Sequence, residues 1–467
     1  MRFLDREEEL SFLEEEWEKD RASFIPIYGR RRIGKTRLIQ EYLKDKEHVY
    51  HLASQESKGE QVNSFKGSLA QSLEDEFLEQ TEMRDWKDLF SYMKKNFNKE
   101  KKFVIAIDEV TYIIKRNDSF PSYLQDLWDN FLKETKVTLL LCGSLVGLMN
   151  ESVLSHSSPL YGRRTGQIHL KPLEPNTLNG MIKDQEKTVR LYSIFGGIPK
   201  YYEMIDYKKD FDQIVDSILK PESLFFEEGT FLLGQEFKEL GNYNSIMKSI
   251  SKGNTELSDI ANEIGMETRK LSNYLDKLYE LGFVKKEKPV TVTKKRYRGY
   301  HYRLKDNFLD FWFKFVFPNR SQIEERIFTH SEIEEKLKKS ISKKFEDICK
   351  KEIAKTYKKV GKWWYKEDEI DIVGLDEENR RIAFGECKWS KNKVDENVLR
   401  DLKDKSEKVR WHNEDRKEKY YLFSRSGFTQ ELQTIGEKKE VVLNDLSFLK
   451  KDDKGQRKKD PRRGHSP

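Results

Sequence analysis

The run Gly29-Arg30-Arg31-Arg32-Ile33-Gly34-Lys35-Thr36 fits the spacing G-x-x-x-x-G-K-[ST]. Glycines at both ends let backbone N–H groups curl around phosphate oxygens, and a helix starting there turns its positive end toward them. On this reading Gly29 to Arg37 cradles ATP, Lys35 reaches the β- and γ-phosphates, and the Thr36 hydroxyl ligates Mg²⁺. The chemistry needs a second element, an apolar strand ending in acid. Phe103-Val104-Ile105-Ala106-Ile107-Asp108-Glu109 supplies it. Asp108 would hold Mg²⁺ through water, and Glu109 would polarise an attacking water, so hydrolysis is expected rather than nucleotide storage.

Two further positions carry open readings. Ser144 ends the apolar run from Leu139 and is either a γ-phosphate sensor or a turn residue leaving the sheet. Arg163 and Arg164 sit in the turn Pro159–Thr165, where a guanidinium serves as an arginine finger or simply as solvated surface.

A second constellation lies near the carboxyl end. Glu369-Ile370-Asp371-Ile372-Val373 alternates, so its two carboxylates share one strand face. Glu386 and Lys388 do likewise in Phe384-Gly385-Glu386-Cys387-Lys388-Trp389. A strand pair carrying D…E-x-K can hold Mg²⁺ between Asp371 and Glu386. Lys388 would then orient and deprotonate a water, or steady charge developing on a phosphate. Ordinary cross-strand pairing of acids with a lysine produces the same pattern.

Elements must position these groups. Strands are expected at Ser23–Tyr28, His48–Ala53, Lys102–Ile107 and Lys136–Cys142, with a helix over Arg37–Lys46, all within an α/β region spanning 1–175. Pro26 is discordant, because a central strand disfavours proline. Residues 176–240 read as helical. Leu257, Ile260, Ala261 and Ile264 line one helix, Gly265 turns the chain, and Leu271, Tyr274, Leu275 and Leu278 line the next, a helix-turn-helix spacing. Arg269, Lys270, Ser272 and Asn273 project near the start of the second helix, where such folds read a major groove. From Lys285 to Lys305 nine Lys/Arg face one Glu, with Tyr297, Tyr300 and Tyr302 interleaved. Such a hairpin grips nucleic-acid phosphates, or serves only solubility and signal transmission. A charged helical stretch over 319–345 leads into a second α/β block ending near 448. The tail 449–467 is basic, has little to bury, and is expected to be disordered.

A chain of 467 residues implies about three domains at roughly 150 residues each. Its 28 Phe, 21 Tyr and 8 Trp are too many for a disordered polyelectrolyte, and a net charge of +6 excludes a histone-like cationic cloud. Three distant cysteines, Cys142, Cys349 and Cys387, suit neither a disulfide framework nor a thiolate zinc site. The start has no signal-like apolar region, and no eighteen apolar residues run together. A soluble, cytoplasmic protein without membrane partners is expected, with oligomerisation left open.

GRRRIGKT, FVIAIDEV, LLCGS, PLYGRRT and FGGIPKYY, with the opening Phe3-Leu4-Asp5-Arg6-Glu7-Glu8-Glu9-Leu10, resemble the archaeal-type P-loop ATPases of the AAA+/STAND branch. The resemblance covers residues 1 to about 235. It implies a core over 1–175, a helical lid over 176–240 from which Gly196-Gly197-Ile198-Pro199 approaches adenine, and nucleotide-driven conformational switching. Gly361-Lys362-Trp363-Trp364, EIDIV and GECKW look like the PD-(D/E)XK nuclease fold, here over 319–448, although the family's usual proline before the strand acid is absent. That likeness implies Glu346 as an additional metal ligand. The expected fold is therefore a parallel P-loop sheet with a lid, a winged helix-turn-helix over 241–318, and a restriction-endonuclease-like α/β domain. The expected function is an ATP-hydrolysing switch that binds DNA and cleaves it with Mg²⁺. The alternative is an ATP-regulated DNA-binding or signalling scaffold whose nuclease-like domain is inactive.

Overall fold

Five short apolar runs pair edge to edge: β1 (Ser23–Tyr28), β2 (His48–Leu52), β3 (Phe103–Asp108), β4 (Val137–Gly143) and β5 (Ile168–His169). In the computed structural model, which describes residues 4–294, 297–437 and 440–450, they form one all-parallel sheet in the order β2-β3-β4-β1-β5. Every residue of β3 and β4 is buried, as the near-continuous Val/Ile/Leu runs require of strands covered on both faces. Seating β4 between β1 and β3 brings the carboxyl ends of all three side by side, where loops of an open α/β sheet form their crevice.

Pro26 fits this sheet for a specific reason. Phe24 sends its C=O to the Thr165 N–H and takes the Thr165 hydroxyl on its own N–H, both on the side toward β5. Backbone groups alternate along a strand, so Pro26 faces the same side, and β5 pairs with β1 only at Ile27 and Tyr28. The missing N–H therefore falls where no ladder partner exists.

The helix after the loop runs Lys35–Leu43, two residues earlier than the pattern suggested. Gly34, at φ 100°, occupies the left-handed region and turns the chain directly from loop into helix.

The chain divides into two compact units. One takes the sequence up to Pro172 together with Ile198–Met204 and Phe231–Lys238, and is built on the parallel sheet. The other takes Leu173–Gly197, Ile205–Thr230 and everything from Glu239. Within it the helices Leu257–Ile264 and Thr268–Glu280 are joined through Gly265 at φ 64°, and β6 (Val284–Glu287) pairs antiparallel with β7 (His301–Leu304).

The same unit holds a mixed sheet of β8 (Lys359–Tyr365), β9 (Asp368–Asp376), β10 (Arg381–Lys388), β11 (Lys417–Ser424) and β12 (Val441–Asn444). Its order is β12-β11-β10-β9-β8, antiparallel from β8 to β10 and parallel from β10 to β12. The helix His330–Ala354 crosses one face: a Cβ on Gly385 would lie 3.0 Å from Ile353. Phe384, pointing the other way, packs in the core that contains Leu399 and Leu402 of the helix Glu396–Glu407.

The charged stretch expected over 319–345 is two helices, Arg320–Glu324 and His330–Ala354. A reciprocal capping box of Thr329 and Glu332 starts the second one. Cys142, Cys349 and Cys387 are free and buried. No helix among the described residues is long and apolar enough to cross a membrane.

Candidate functional site

The crevice at the β1, β3 and β4 ends brings the phosphate loop against the acidic end of β3, with Thr36 meeting Asp108 across 72 residues of sequence. Lys35 is buried and donates from Nζ to the carbonyls of Gly29 (3.0 Å) and Arg30 (3.2 Å), so the loop is closed upon its own lysine. Thr36 Oγ1 donates to Asp108 Oδ2 at 2.6 Å, and Tyr50 on β2 donates to the same oxygen at 3.0 Å. The other oxygen of Asp108 accepts the Glu109 N–H at 2.9 Å.

Glu109 holds φ 52°, a conformation non-glycine residues adopt rarely and mostly where the surroundings over-determine it. Its Oε2 accepts the Ser144 hydroxyl at 2.7 Å. Ser144 thus lies on the residue expected to act on water. Burial, reinforced by the Asp108 charge, pushes the Tyr50 phenol well above its ordinary range, so it remains a donor.

The arginines of the loop reach outward within the same unit. Arg31 lies over the Phe231 ring at 4.8 Å, and Arg32 lies 5.9 Å from the Tyr201 centroid with its Nη1 3.2 Å from Met204 Sδ. Tyr201 and Met204 belong to the short helix that Pro199 opens. Ile33 is buried, while Thr36 and Arg37 are exposed. The donor set fits a nucleotide with its metal. The helix Lys35–Leu43 begins at a glycine without a side-chain cap, and a hydroxyl and a carboxylate converge beside it.

Arg163 is committed elsewhere. It grips Asp129 through Nε (2.9 Å) and Nη2 (2.6 Å) and donates from Nη1 to the Pro159 carbonyl. None of these partners is a phosphate-loop residue.

The second constellation gathers on β9, β10 and the long helix. The Cys387 N–H donates to Asp371 Oδ2 at 2.9 Å, and Lys388 Nζ pairs with Glu386 Oε1 at 2.7 Å. The remaining Glu386 oxygen, Oε2, is buried without a hydrogen-bond partner among the described residues. Burial, then the charges of Glu346 and Glu386, raises the Asp371 pKa to about 7. Burial also raises Glu346, against the pull of Lys362.

An orphaned carboxylate oxygen beside an acid held back from ionising is what a two-carboxylate cation site leaves when nothing neutralises it. Asp371 and Glu386 therefore fit a divalent cation. Glu346 does not join them as a free ligand: Lys362 holds it at 2.5 Å while also pairing with Glu369 at 2.8 Å. Among the described residues no group of three His, Cys, Asp or Glu is gathered closely enough to hold a metal.

On the helix-turn-helix, Arg269, Lys270 and Asn273 are exposed and Ser272 half-buried. The hairpin is less available than its charge count implied. Lys285 pairs with Asp347 and Glu287, Lys286 with Asp276, and Arg303 with Glu287. Lys295, Arg296 and residues 451–467 of the basic tail lie outside the described residues. Trp363 is buried in the mixed-sheet core, and Trp364 stacks on His301 at 4.5 Å.

Three residues that contact these candidate sites escaped the pattern reading. Tyr50 reaches Asp108 only because β2 pairs with β3, a register that β2's own residues do not specify. Arg6, buried, donates to the carbonyls of Ile33 (3.4 Å) and Lys171 (2.8 Å) from a left-handed position before the first helix. Lys362, between Gly361 and Trp363 on β8, carried no alternation signal, because the strand register shifts between those two residues.

Comparison with known proteins places these features in families. An ATPase domain found predominantly in Archaea matches residues 3–205, and a bacterial regulatory arsR-type helix-turn-helix matches 244–286. Residues 312–399 match archaeal and bacterial proteins of unknown function. The chain is 37% identical over 433 residues to the uncharacterized protein MJECL04 of Methanocaldococcus jannaschii, covering 90% of this chain and 94% of that one. The uncharacterized ATP-binding protein MJ0423 of the same organism is 52% identical over 44 residues, 9% of this chain and 75% of that one. Among solved structures, the Walker-type ATPase PABY2304 of Pyrococcus abyssi is similar at TM-score 0.49 and 18% identity, covering 67% of this chain and 96% of that one. The chain belongs to the family of MJECL04, and carries an ATPase domain of the predominantly archaeal type followed by an arsR-type helix-turn-helix.

Proposed function

We propose that the protein is an ATP-hydrolysing switch that engages DNA through its helix-turn-helix and cleaves it at a Mg²⁺-dependent site on β9 and β10. The observation that carries the ATPase half is the 2.6 Å bond from Thr36 to Asp108, which joins the phosphate loop to the acidic strand end. Lys35 would exchange the Gly29 and Arg30 carbonyls for β- and γ-phosphate oxygens. Thr36 and Asp108 would hold Mg²⁺, which neutralises charge on the phosphates. Glu109, once released by Ser144, would accept the proton of the attacking water.

Nucleic acid as partner draws support from the arsR-type match over residues 244–286 and the exposed Arg269 and Lys270. For cleavage, Asp371 and Glu386 would hold the second metal, which acidifies water and steadies phosphoryl charge. Lys388 would orient that water. The alternative, a DNA-binding switch with an inactive nuclease-like domain, is favoured by the absence of a three-ligand metal group among the described residues.

The test is a pair of assays on the full chain. Lys35→Ala is expected to lower ATP turnover at least about 100-fold. Metal-dependent nicking of DNA should disappear in Glu386→Ala with its ATPase rate intact. Absence of nicking in the wild type with Mg²⁺ or Mn²⁺, with and without ATP, would leave the alternative.

A further inference from the structure

Beside the β9/β10 carboxylates, and within the same compact unit, lies a cavity of about 60 Å³ lined mostly by charged and polar residues. The hairpin contributes Lys285 and Arg303, the segment before the long helix Lys314, the long helix Lys343 and Lys344, and β8 Lys362. Four carboxylates face these six cations: Glu287, Asp310, Glu346 and Asp347. The acids are shared rather than matched. Glu287 serves both Lys285 (2.8 Å) and Arg303 (2.9 Å), and Asp310 serves both Lys344 (2.9 Å) and Lys314 (3.6 Å).

Lys343, exposed, makes no ion pair among the described residues. Since Glu369 also pairs with Lys362 at 2.8 Å, one positive charge is left over, in a partly desolvated space. Burial, with Lys344 and Lys343 nearby, presses the Lys314 pKa below its ordinary value, the direction expected of cations awaiting a counter-charge.

Shape narrows the counter-charge. By this measure a water needs about 10–15 Å³, so the cavity admits a few waters or one tetrahedral anion and excludes a nucleobase. Position narrows it further, because Glu346 lines the cavity and also acts electrostatically on Asp371. The helix-turn-helix contributes Ser251, Gly253 and Thr255 to the same wall.

We infer that this cavity seats one backbone phosphate of a nucleic-acid strand, beside the Asp371 and Glu386 carboxylates. The inference rests on nucleic acid as the partner proposed above, but not on cleavage. The wing cations would then act less as an outward grip than as one side of an internal phosphate seat.

The experiment measures binding of a short fluorescent duplex and its single strand to the full chain, with Ca²⁺ in place of Mg²⁺, across a salt series. Lys343→Gln is expected to weaken binding about three- to tenfold at moderate salt. It should also flatten the log K against log salt slope by about 0.9 for duplex or 0.7 for single strand. Lys343→Arg should restore both, and the melting temperature should be unchanged in each variant. Equal affinity and slope in Lys343→Gln and wild type would overturn the inference. So would wild type that binds no oligonucleotide, even where inorganic phosphate raises its melting temperature and not that of Lys343→Gln, since the seat would then take only a free anion. Loss of cleavage readings alone, with the salt slopes behaving as expected, would count against the nuclease reading and leave the phosphate seat in place.

Discussion

Asp371, lifted from an ordinary 3.8 to about 7 by burial and by Glu346 and Glu386, makes the mixed sheet sensitive to pH. An acid whose folded pKa exceeds its unfolded value binds more protons when folded, so its contribution to stability declines as pH rises between those two values. Metal-free wild type should therefore lose melting temperature relative to Asp371→Asn between about pH 4 and pH 7, by about 2 °C or more, with the two close below that window. Mg²⁺ should narrow the gap above pH 7, because a bound cation replaces the proton. Parallel melting curves across the range would contradict this account. At this scale much was legible in the sequence. Thr36, Asp108 and Glu109, singled out by their spacing, are joined by hydrogen bonds, and Lys388 pairs with Glu386 two residues before it on the same strand. What spacing cannot carry is a partner drawn from another element. Glu346 answers to Lys362 and Arg163 to Asp129, and each pairing depends on how a strand or helix packs rather than on its own residues.

Among the elements, the loop between β1 and its helix is the most tightly specified. Gly29 holds φ 150°, and a Cβ placed there would sit 2.6 Å from the Leu170 carbonyl oxygen, one residue past the strand that closes the sheet edge. A Cβ on Gly34 would meet nothing within 4 Å, so that position needs only its φ of 100°. Gly29→Ala is therefore expected to cost about 1–3 kcal/mol and to abolish nucleotide binding, whereas Gly34→Ala should cost less. Urea denaturation and nucleotide titration of both variants measure the difference, and equal losses would argue that strain, not the Leu170 contact, governs the loop. The strands themselves were readable because β-branched runs buried on both faces leave few alternatives. Their order was not, since non-local pairing is set by packing. Helix ends moved for local reasons: Gly34 advances one start, and the Thr329–Glu332 capping box creates another where charge composition showed only continuity.

For the whole chain, a balanced net charge of +6 conceals how its cations are used. The hairpin that looked like an open basic wing commits Lys285, Lys286 and Arg303 to acids inside its own unit. Its contribution to any nucleic-acid contact is consequently local, which agrees with an internal phosphate seat better than with a broad electrostatic coat.

The three buried free thiols offer a different use of the architecture, as built-in clocks. Cys142 lies in β4 of the parallel sheet, and Cys349 and Cys387 lie in the long helix and β10 of the mixed-sheet unit, with burial holding all three above the usual thiol range. A thiol reagent can reach them only when the surrounding structure opens, so each labelling rate reports one unit's own opening. ATP with Mg²⁺ should slow labelling of Cys142, and Mg²⁺ alone should slow Cys387. Following the two rates by mass spectrometry would read nucleotide and metal occupancy separately in a single unmodified chain.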